Sequence, residues 1–519
     1  MNPQADRLDD PEVITRLCNA AIEKERAEYA APAPERDKPL FAPEEIIKAL
    51  QCNEDGDARL YIEAHRGRFC YDHASGLWLK WAGNHWQDDL LQEATEAICA
   101  VIELYGEEAG RQAWQRLHAE KEQDQAAAKK HEDLEDALLK RIRALQTVNR
   151  KQNVLQLART GAQSLGITGY EWDINPWLLG CMNGVIDLKT GQHRAGQPED
   201  YIKTIAPHEW RGMDEPAPLW EKFLQEIFNG DQQLIQYIHK LLGYCLTGLT
   251  ILHQYLICYG LGRNGKGTLF EALKYVLGEL AGPIESEMVM QQTYFKQAGG
   301  PDSAIMALRE KRLVWASESE EGRKFNVGKL KWLTGGDTLT GRAPYGRKQI
   351  TFKPTHKLFL LTNYKPQAPA NDYALWARLH LIPFTLAFID EPQKDNERKA
   401  DPELLEKLKQ EAPGILAWLV RGCMAWQQEG LKPPESVQAA TREYQHDEDI
   451  IGQFIIERCI TEPGKQVKGG ELYDAFKIWC DERGLEANKT TFGKEIKKRF
   501  GSNTKRYVFY TGIDLNNEN

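Results

Sequence analysis

The stretch Gly260–Thr268 reads Gly-Leu-Gly-Arg-Asn-Gly-Lys-Gly-Thr. It follows the apolar run Tyr255–Tyr259 and leads into the amphipathic segment Leu269–Leu277. Strand, glycine-rich turn and helix in this order form the context of a phosphate-binding loop, because glycines let backbone N–H groups face an anion and the helix N-terminus adds positive charge. The alternative is a plain strand–turn–helix corner. Lys266 stands in register to reach the terminal phosphates, which favours a nucleotide site.

One position of this loop departs from the usual pattern. Gly267 occupies the position directly after the lysine, where a serine or threonine usually holds Mg²⁺. The threonine of this loop, Thr268, comes one position later. The loop alone therefore leaves open how a metal ion is held. The predicted nucleotide-binding residues are Gly260, Leu261, Gly262, Arg263, Asn264, Gly265, Lys266, Gly267 and Thr268.

A second apolar segment, Lys311–Glu321, lies downstream and ends in acidic residues. After a phosphate loop, carboxylates at such a place serve Mg²⁺ and the attacking water. Taken alone, the segment would be a buried strand followed by a solvated acidic turn, but the loop upstream favours function, with Glu318 and Glu320 as candidates. Another buried strand, His356–Thr362, ends at Asn363, whose amide is suited to orient that water.

A long basic run follows the acidic segment. Between Thr338 and Ala370 there is no Asp or Glu, although the chain has a net charge of −10. This indicates a polyanion nearby, with a basic solvated loop as the alternative. Gly346 divides two strand-like segments, which predicts a hairpin with charges at its tip. The basic residues are Arg342, Arg347, Lys348, Lys353, Lys357 and Lys365.

The composition is typical of a globular protein of about three or four domains, with 519 residues, 42% hydrophobic and 27% charged. The acidic net charge excludes a protein coated in basic residues, so contacts with nucleic acid must come from local patches. No run approaches the roughly 20 apolar residues of a membrane span, and the N-terminus opens no signal peptide. The ten cysteines form no Cys-x-x-Cys pair, which favours reduced thiols, a cytoplasmic setting and no zinc site.

The segments before the loop show clear periodicity. Short aromatic strands between Phe69 and Trp86 predict a small antiparallel sheet, whose aromatics serve core packing more often than base stacking. Leu91–Gln163 is predicted to be largely helical, and Pro216–Gly248 to form a pair of helices. The later part of the first helical region has a basic bias that suits either DNA or a solvated face, carried by Lys140, Arg141, Arg143, Arg150, Lys151 and Arg159.

The C-terminal part predicts a further small domain. Glu471–Arg483 carries an apolar face, Thr490 is placed to cap a second helix, and Gly501-Ser502-Asn503 predicts a turn before the strand Tyr507–Tyr510. Helix, helix, turn and strand resemble a winged helix. The second helix has a basic face that favours DNA binding over simple solvation, formed by Lys494, Lys497 and Lys498.

Together these motifs resemble the superfamily III helicases, most closely the helicase part of phage and plasmid primase–helicases and their poxvirus relatives. The resemblance runs from about residue 57 to near the C-terminus and is specific because four motifs fall in order. It implies that Gly260–Thr268 is the Walker A motif, in which Lys266 contacts phosphates. It also implies that Glu318 and Glu320 are the Walker B acids, and that Leu333–Lys348 contains a hairpin that grips single-stranded DNA.

By the same resemblance, Asn363 is the sensor residue, and Arg378, just before the strand Leu379–Phe384, is an arginine finger donated to the ATP of a neighbouring subunit. Relatives often have two arginines where this chain has Ala377-Arg378. The region from Trp177 onward resembles the domain that precedes the ATPase in this family. No catalytic primase domain is visible.

The resemblance implies an α/β multidomain fold with an AAA+-like P-loop ATPase core, an α-rich N-terminal region and a C-terminal winged helix. The expected domains are a peripheral helical and linker segment (1–55), a helicase-associated domain with a small sheet and helices (56–215), the ATPase/helicase domain (216–440) and the winged-helix-like DNA-binding domain (441–519).

The implied function is an ATP-dependent DNA helicase that replicates a phage, prophage or plasmid and moves on single-stranded DNA as a hexameric ring. It would use ATP and Mg²⁺, with Glu318 and Thr268 as metal ligands. Expected partners are single-stranded and forked DNA, further copies of the chain, and a separate primase or polymerase, with no membrane, in a bacterial host cytoplasm. Two alternatives stay open: a small-molecule nucleotide kinase, and a non-motor initiator or scaffold that uses ATP only to assemble.

Overall fold

The structure is a computed structural model. Two of the predicted DNA contacts, Arg347 and Lys348, and most of the expected peripheral segment lie outside the residues it describes. Within the described part of the chain, no helix is both long and apolar enough to cross a bilayer. The described residues are 41–292, 303–318, 320–342, 349–504 and 507–516.

The chain divides into two compact units. The first contains the chain up to Trp172 together with Gly196–Lys203, and the second contains Asp173–Ala195 and everything from Thr204 onward. This division falls inside the segment 56–215, which was expected to be one domain. The four-domain scheme stays a prediction.

The first unit contains the predicted small sheet. Strands Phe69–Asp72, Leu77–Trp81 and Trp86–Asp88 are antiparallel, and Gly166–Ile167 adds to Phe69–Asp72 in parallel. Several aromatics of the sheet are buried against one another, which confirms their use in packing. The helices of this unit are Pro43–Gln51, Asn53–His65, Glu93–Glu96, Cys99–Lys121, Gln125–Leu145 and Val148–Ala158, with the short 3₁₀ turn Pro198–Asp200.

A buried carboxylate holds the helices of the first unit together. Asp57 is fully buried and accepts hydrogen bonds from Tyr105 Oη at 2.7 Å, from Arg141 Nη1 at 2.7 Å and from Arg150 Nη2 at 2.6 Å. A buried charge requires such partners, since its desolvation is otherwise too costly. Two arginines of the predicted basic bias are therefore used inside the unit. Neither the DNA-facing nor the solvated interpretation holds for Arg141 and Arg150.

The second unit is built around a five-stranded sheet in which all neighbours are parallel. The phosphate-loop strand Tyr255–Tyr259 lies second from one edge, and the acid-bearing strand lies second from the other. In spatial order, the strands are Ala281–Ile284, Leu313–Glu318, Lys357–Thr362, Tyr255–Tyr259 and Leu379–Pro383. This arrangement of parallel strands is consistent with a P-loop ATPase.

Both faces of this sheet are buried, which is usual for parallel sheets. On one face, Trp315 and Leu361 pack in a cluster with the helix Lys266–Leu277, whereas Val314 and Leu360 belong to the cluster on the other face. The covering helices of the second unit are Pro218–Ile227, Gln232–Leu246, Lys266–Leu277, Ser303–Met306, Val327–Thr334, Tyr373–Trp376, Leu404–Gln410, Ala412–Glu429 and Glu435–Asp447, with 3₁₀ turns at Gly278–Leu280 and Ser286–Met288.

Two of these helices cross in close contact because each has a glycine at the crossing. A Cβ on Gly243 would lie 2.1 Å from the backbone nitrogen of Cys423, and one on Gly422 would lie 2.2 Å from the carbonyl oxygen of His239. The first helix of the crossing belongs to the predicted pair over 216–248, and this pair is confirmed. Its helices are separated at Asn229 and Gly230, which both have positive φ.

Smaller sheets flank the central one. Strands Leu178–Cys181, Gly184–Asp187 and Gln192–Arg194 form an antiparallel meander, to which Ile205–Ala206 adds in parallel. The two strands of the predicted hairpin, Leu339–Gly341 and Ile350–Phe352, pair antiparallel, and its predicted charged tip lies outside the described residues. The short pair Ala387–Ile389 and Glu397–Lys399 is parallel.

The C-terminal residues form a helical and antiparallel module. Helices Ile450–Arg458, Gly469–Asp481 and Lys489–Arg499 pack with the strands Gln466–Lys468, Gly501–Thr504 and Val508–Thr511, of which the last lies in the middle. A further antiparallel pair joins Cys459–Ile460 to Asp514–Leu515.

Two details of the predicted C-terminal part are wrong. The second helix is capped by Asn488, whose Oδ1 accepts from the backbone nitrogen of Thr491 at 3.0 Å, and not by Thr490, because the helix begins at Lys489. The residues expected as a turn, starting at Gly501, form a strand, because pairing with Val508–Thr511 outweighs their local turn preference.

Candidate nucleotide-binding site

The phosphate loop has the tight backbone that its glycines predict. Arg263 and Gly265 have positive φ values of 57° and 85°. A Cβ on Gly265 would lie 2.5 Å from Ile227 Cγ2, and one on Gly260 would lie 2.2 Å from the carbonyl oxygen of Phe384. At these two positions only glycine fits. The loop is therefore held close to the elements around it, with the helix N-terminus behind it.

Lys266 is the first residue of the helix and is buried. Its Nζ donates to the carbonyl oxygen of Gly260 at 2.6 Å and to Asn363 Oδ1 at 3.3 Å. Burial lowers the pKa of Lys266 to about 8, against a small opposing effect of the nearby Cys258 thiol. A lysine held this way gains most from an anionic partner, which is what a phosphate supplies.

The register of the sheet brings the acidic strand and the asparagine to this lysine. The backbone nitrogen of Gly260 donates to the carbonyl oxygen of Thr362 at 3.3 Å. Thr362 is in turn paired with Glu318 across the neighbouring strand. Because all three strands are parallel, their carboxyl ends meet at one edge of the sheet, and Asn363 follows directly at that edge. Lys266, Asn363 and Glu318 thus converge.

The two predicted acids have different surroundings. Glu318 is buried, whereas Glu320 is exposed. Arg323 contacts both: its Nε lies 3.4 Å from Glu318 Oε2, and its Nη1 lies 3.7 Å from Glu320 Oε2. The backbone nitrogen of Glu320 also donates to Glu318 Oε1 at 3.0 Å. The turn after the strand therefore folds back on Glu318 and holds its carboxylate.

These groups surround a single cavity of about 470 Å³. Seven of the nine predicted loop residues line it, while Gly260 and Leu261 do not, and Glu320 also lies outside the lining. The cavity has an amine, a guanidinium, a carboxylate, two amides and three hydroxyl-bearing side chains beside the helix N-terminus. The lining residues are Gly262, Arg263, Asn264, Gly265, Lys266, Gly267, Thr268, Ser317, Glu318, Leu361, Thr362 and Asn363.

Arg378 lies at the amino ends of the strands, opposite the carboxyl ends that surround the cavity. The backbone nitrogen of Tyr255, at the start of the loop strand, donates to the carbonyl oxygen of Arg378 at 2.7 Å. The guanidinium donates from Nη1 to the carbonyl oxygen of Lys331 at 3.0 Å. A strand of five residues spans about 16 Å, so Arg378 does not reach the cavity of its own chain.

Of the predicted DNA contacts that the structure describes, none lines the cavity. Arg342 directly follows the hairpin strand Leu339–Gly341. On the C-terminal helix, the three predicted lysines are exposed, and Lys498 Nζ contacts Glu495 Oε1 of the same helix at 2.6 Å. Those lysines are Lys494, Lys497 and Lys498.

Four residues of the site were not predicted, and two of them, Leu361 and Thr362, line the cavity from the central strand. Ser317 lines the cavity one residue before the acid, and Arg323 contacts the acidic pair. A signal for Ser317 exists in the sequence, because side chains alternate along a strand and a polar residue inside an apolar strand must face something polar. The sequence holds no comparable signal for Arg323, since its contact depends on how the turn after Glu318 folds back.

Two family models match parts of the chain. Residues 58–229 match the family described as "D5 N terminal like", and residues 258–378 match a family of unknown function, DUF5906. The second match contains the loop, the acids, the asparagine and Arg378. The two matches cover much of the region in which the resemblance was predicted.

Among curated proteins, a "Putative helicase" of Acanthamoeba polyphaga mimivirus is 30% identical over 460 residues, covering 84% of this chain and 46% of that protein. A "Putative helicase" of Frog virus 3 (isolate Goorha) is 30% identical over 233 residues, covering 42% and 23%. A "Putative primase" of African swine fever virus is 23% identical over 333 residues, covering 59% and 33%. The chain is related to these viral proteins and spans less than half of their length.

Two solved structures are similar at low identity. The apo structure of the NrS-1 C-terminal region covers 92% of this chain and 100% of that chain, with 12% identity and a TM-score of 0.44. A structure of JCV helicase covers 65% and 83%, with 14% identity and a TM-score of 0.22. Neither likeness is close enough to support an assignment.

Proposed function

We propose that this relative of viral proteins named as helicases and primases is an ATP-dependent DNA helicase of superfamily III, acting in replication of a phage, prophage or plasmid. The main support is the convergence of Lys266, Asn363 and Glu318 on one cavity at the carboxyl edge of a parallel sheet. Ligands of such sheets bind at this edge. The same three residue types are needed to bind a triphosphate and activate a water.

Each group has a role that its surroundings suit. Lys266 exchanges its contact with the loop carbonyl for the terminal phosphates, whose charge its ammonium complements. Glu318, held by the turn that follows it, accepts a proton from the attacking water or orients it. Asn363 is within 3.3 Å of the lysine and can position the same water. Hydrolysis then needs positioning and charge stabilisation more than covalent chemistry.

The cavity also suits Mg²⁺, which prefers oxygen ligands and retains several waters. Thr268 and Glu318, the predicted ligands, both line it. A Cβ on Gly267 would meet no described atom within 4 Å, so there is room beside the loop for a hydrated ion. When bound, Mg²⁺ would neutralise charge on the β- and γ-phosphates.

The position of Arg378 supports a ring. The cavity of the same chain is out of its reach, so a role in hydrolysis requires a second subunit. An arginine finger supplied in trans stabilises charge in the transition state and raises turnover by about 10³–10⁵-fold where measured in related chemistry. We propose a closed ring, a hexamer, with an AAA+-like core in which each Arg378 serves its neighbour.

Two basic features are proposed to bind DNA. Arg342, with Arg347 and Lys348, would line the channel of the ring on the hairpin. The C-terminal module supports a winged helix, because its elements follow the order helix, strand, helix, helix and strand hairpin. Its third helix, Lys489–Arg499, carries the exposed lysines and would enter duplex DNA. A separate primase or polymerase would complete the replication machinery.

The decisive experiment compares the parent chain with Lys266→Ala in ATP hydrolysis and in unwinding of a forked DNA. The parent should hydrolyse ATP faster with single-stranded DNA and separate the fork, and the variant should do neither while keeping its thermal melting temperature. Negative-stain images with ATP and single-stranded DNA should show rings.

Other outcomes would contradict the proposal. Transfer of phosphate from ATP to a nucleoside monophosphate would support a kinase. DNA-stimulated assembly without strand separation would support an initiator or scaffold. Normal turnover in Lys266→Ala would remove the site assignment itself.

A further inference from the structure

The acid-bearing strand presents alternate side chains to opposite faces of the sheet. Leu313 and Trp315 belong to the cluster that contains the phosphate-loop helix, and the ring of Trp315 lies 5.3 Å from that of Phe270 on this helix. Val314 and Ala316 belong to the cluster on the other face. By the same alternation, Ser317 faces the side of the loop helix.

Glu318 therefore starts on the face away from that helix. It is buried but still lines the cavity, and Arg323 contacts its carboxylate. Ser317, in contrast, is exposed between two buried neighbours and lines the cavity. An exposed residue inside so buried a strand has its side chain in the open space of the site. Of the two strand residues that line the cavity, the one on the side of the loop helix thus bears a hydroxyl, and the carboxylate comes next.

The phosphate loop departs from the usual pattern at the position that normally holds Mg²⁺. In P-loop ATPases, the loop serine or threonine and an aspartate on the acidic strand hold Mg²⁺. Here the loop position is Gly267, where a Cβ would meet no described atom within 4 Å, and the strand position on the same side is Ser317. The loop therefore lacks a hydroxyl at its usual position, Gly267, whereas the strand provides one, on Ser317, in the lining of the same cavity.

We propose that Ser317 is the strand ligand of Mg²⁺ in this site, binding the ion through its hydroxyl oxygen, directly or through one of the ion's waters. This rests on the proposed nucleotide site. Because Mg²⁺ keeps several waters and takes its other ligands from the substrate phosphates, one neutral protein oxygen is sufficient. In this proposal Ser317 takes the place of Thr268 and Glu318, the ligands expected from the sequence, and Glu318, held by Arg323, acts on the attacking water.

The test measures metal affinity apart from activity. Mn²⁺ serves as the probe, and free Mn²⁺ is followed by electron paramagnetic resonance in the presence of a saturating non-hydrolysable ATP analogue. Ser317→Ala should weaken Mn²⁺ binding about tenfold, the lower range for loss of a group that supports a metal. Gly267→Ser, added to Ser317→Ala, should restore most of the affinity, because the loop position has room for a hydroxyl.

Thr268→Val is the matched control, since valine keeps the shape of threonine and removes its hydroxyl. We expect its effect on Mn²⁺ affinity to be smaller than threefold. A tenfold loss in Thr268→Val with no change in Ser317→Ala would overturn the proposal, because Thr268 would then hold the ion. If Ser317→Ala fails to fold, Ser317→Asp decides: a carboxylate facing the ion should tighten Mn²⁺ binding, and unchanged binding would count against Ser317.

Binding of the same analogue in EDTA distinguishes a failure of the proposed function from a failure of the Ser317 assignment alone. If the parent binds no nucleotide under any condition, the proposed function fails and Ser317 has no role to fill. If the parent and Ser317→Ala bind nucleotide equally in EDTA and equally with Mn²⁺, only the assignment of Ser317 fails.

Discussion

Raising the pH from 7 to 9 should weaken nucleotide binding about tenfold, and the reason lies in Lys266. Burial lowers the pKa of this lysine to about 8 in the free protein. A bound phosphate favours the ammonium and raises the pKa again in the complex. By linkage, the apparent dissociation constant is proportional to the factor 1 + 10^(pH − 8). This factor is about 1.1 at pH 7 and about 11 at pH 9.

The same linkage predicts how many protons are taken up on binding. At pH 8, about half of the Lys266 side chains are neutral in the free protein, so binding should take up about 0.5 proton, and about 0.9 at pH 9. Calorimetric titration with a non-hydrolysable ATP analogue, repeated in buffers of different ionisation enthalpy, measures this number directly. EDTA in all buffers removes the metal from the comparison.

Lys266→Arg supplies the control, because a guanidinium stays protonated throughout this range. If it binds nucleotide, its affinity should not change between pH 7 and pH 9. A parent protein whose affinity is constant over the same range would refute the role of Lys266, as would an equal loss in the parent and in Lys266→Arg. Thermal melting at each pH excludes unfolding as the cause.

Four further results are expected. Glu318→Gln should bind ATP normally and hydrolyse it about 10²–10⁴-fold more slowly, the usual range for loss of a general base. Arg378→Ala subunits should be inactive alone and regain turnover when mixed with Lys266→Ala subunits, since each supplies what the other lacks. Replacing the three exposed lysines of Lys489–Arg499 by glutamine should make the salt dependence of duplex binding less steep by about 0.9 for each phosphate that the protein no longer neutralises, while a fork is still unwound. Gly243→Ala should destabilise the second unit by at least about 2 kcal/mol in denaturant unfolding, because its Cβ meets backbone atoms.

The prediction for Gly243 has a matched control in the chain, and two of the others have an outcome that would refute them. Gly106 lies within the helix Cys99–Lys121, where a Cβ would meet no described atom within 4 Å, so Gly106→Ala should be neutral or stabilising. Equal effects of Gly106→Ala and Gly243→Ala would refute the packing argument. Mixtures of the Arg378 and Lys266 variants that never regain activity would remove the role in trans. A triple lysine variant with unchanged salt dependence would place duplex DNA elsewhere.

Much of the fold was predictable because local pattern and tertiary structure agree. The loop strand, its helix and the acidic strand have apolar runs and glycines that leave few alternatives, and all three are present within two or three residues of the predicted limits. The pair of helices over 216–248 was equally clear from its spacing. At the C-terminus, Asn488 and Thr490 are both good caps, and only the packing of the helix decides between them.

The candidate site was only partly predictable, because its residues come from distant strands. Lys266 and Asn363 are 97 positions apart, yet one hydrogen bond of 3.3 Å joins them. The sequence places each at the carboxyl end of a strand but does not say that the two strands are neighbours. Arg141 shows the opposite case, since it was a surface residue by pattern and proved to neutralise Asp57 inside the first unit.

The two edges of the central sheet divide the predicted catalytic residues into two sets. Lys266, Glu318 and Asn363 lie around the cavity at the carboxyl ends of the strands. Arg378 directly precedes a strand at the amino ends, about 16 Å away. A shift of one or two residues in register could not close this distance, because the strand Leu379–Pro383 is paired along its whole length with the loop strand. If Arg378 contributes to hydrolysis, the nucleotide it contacts belongs to another subunit. In the proposed ring, the amino ends of the strands in one subunit would face the loop of the next subunit, and closure of the ring would give every cavity its arginine.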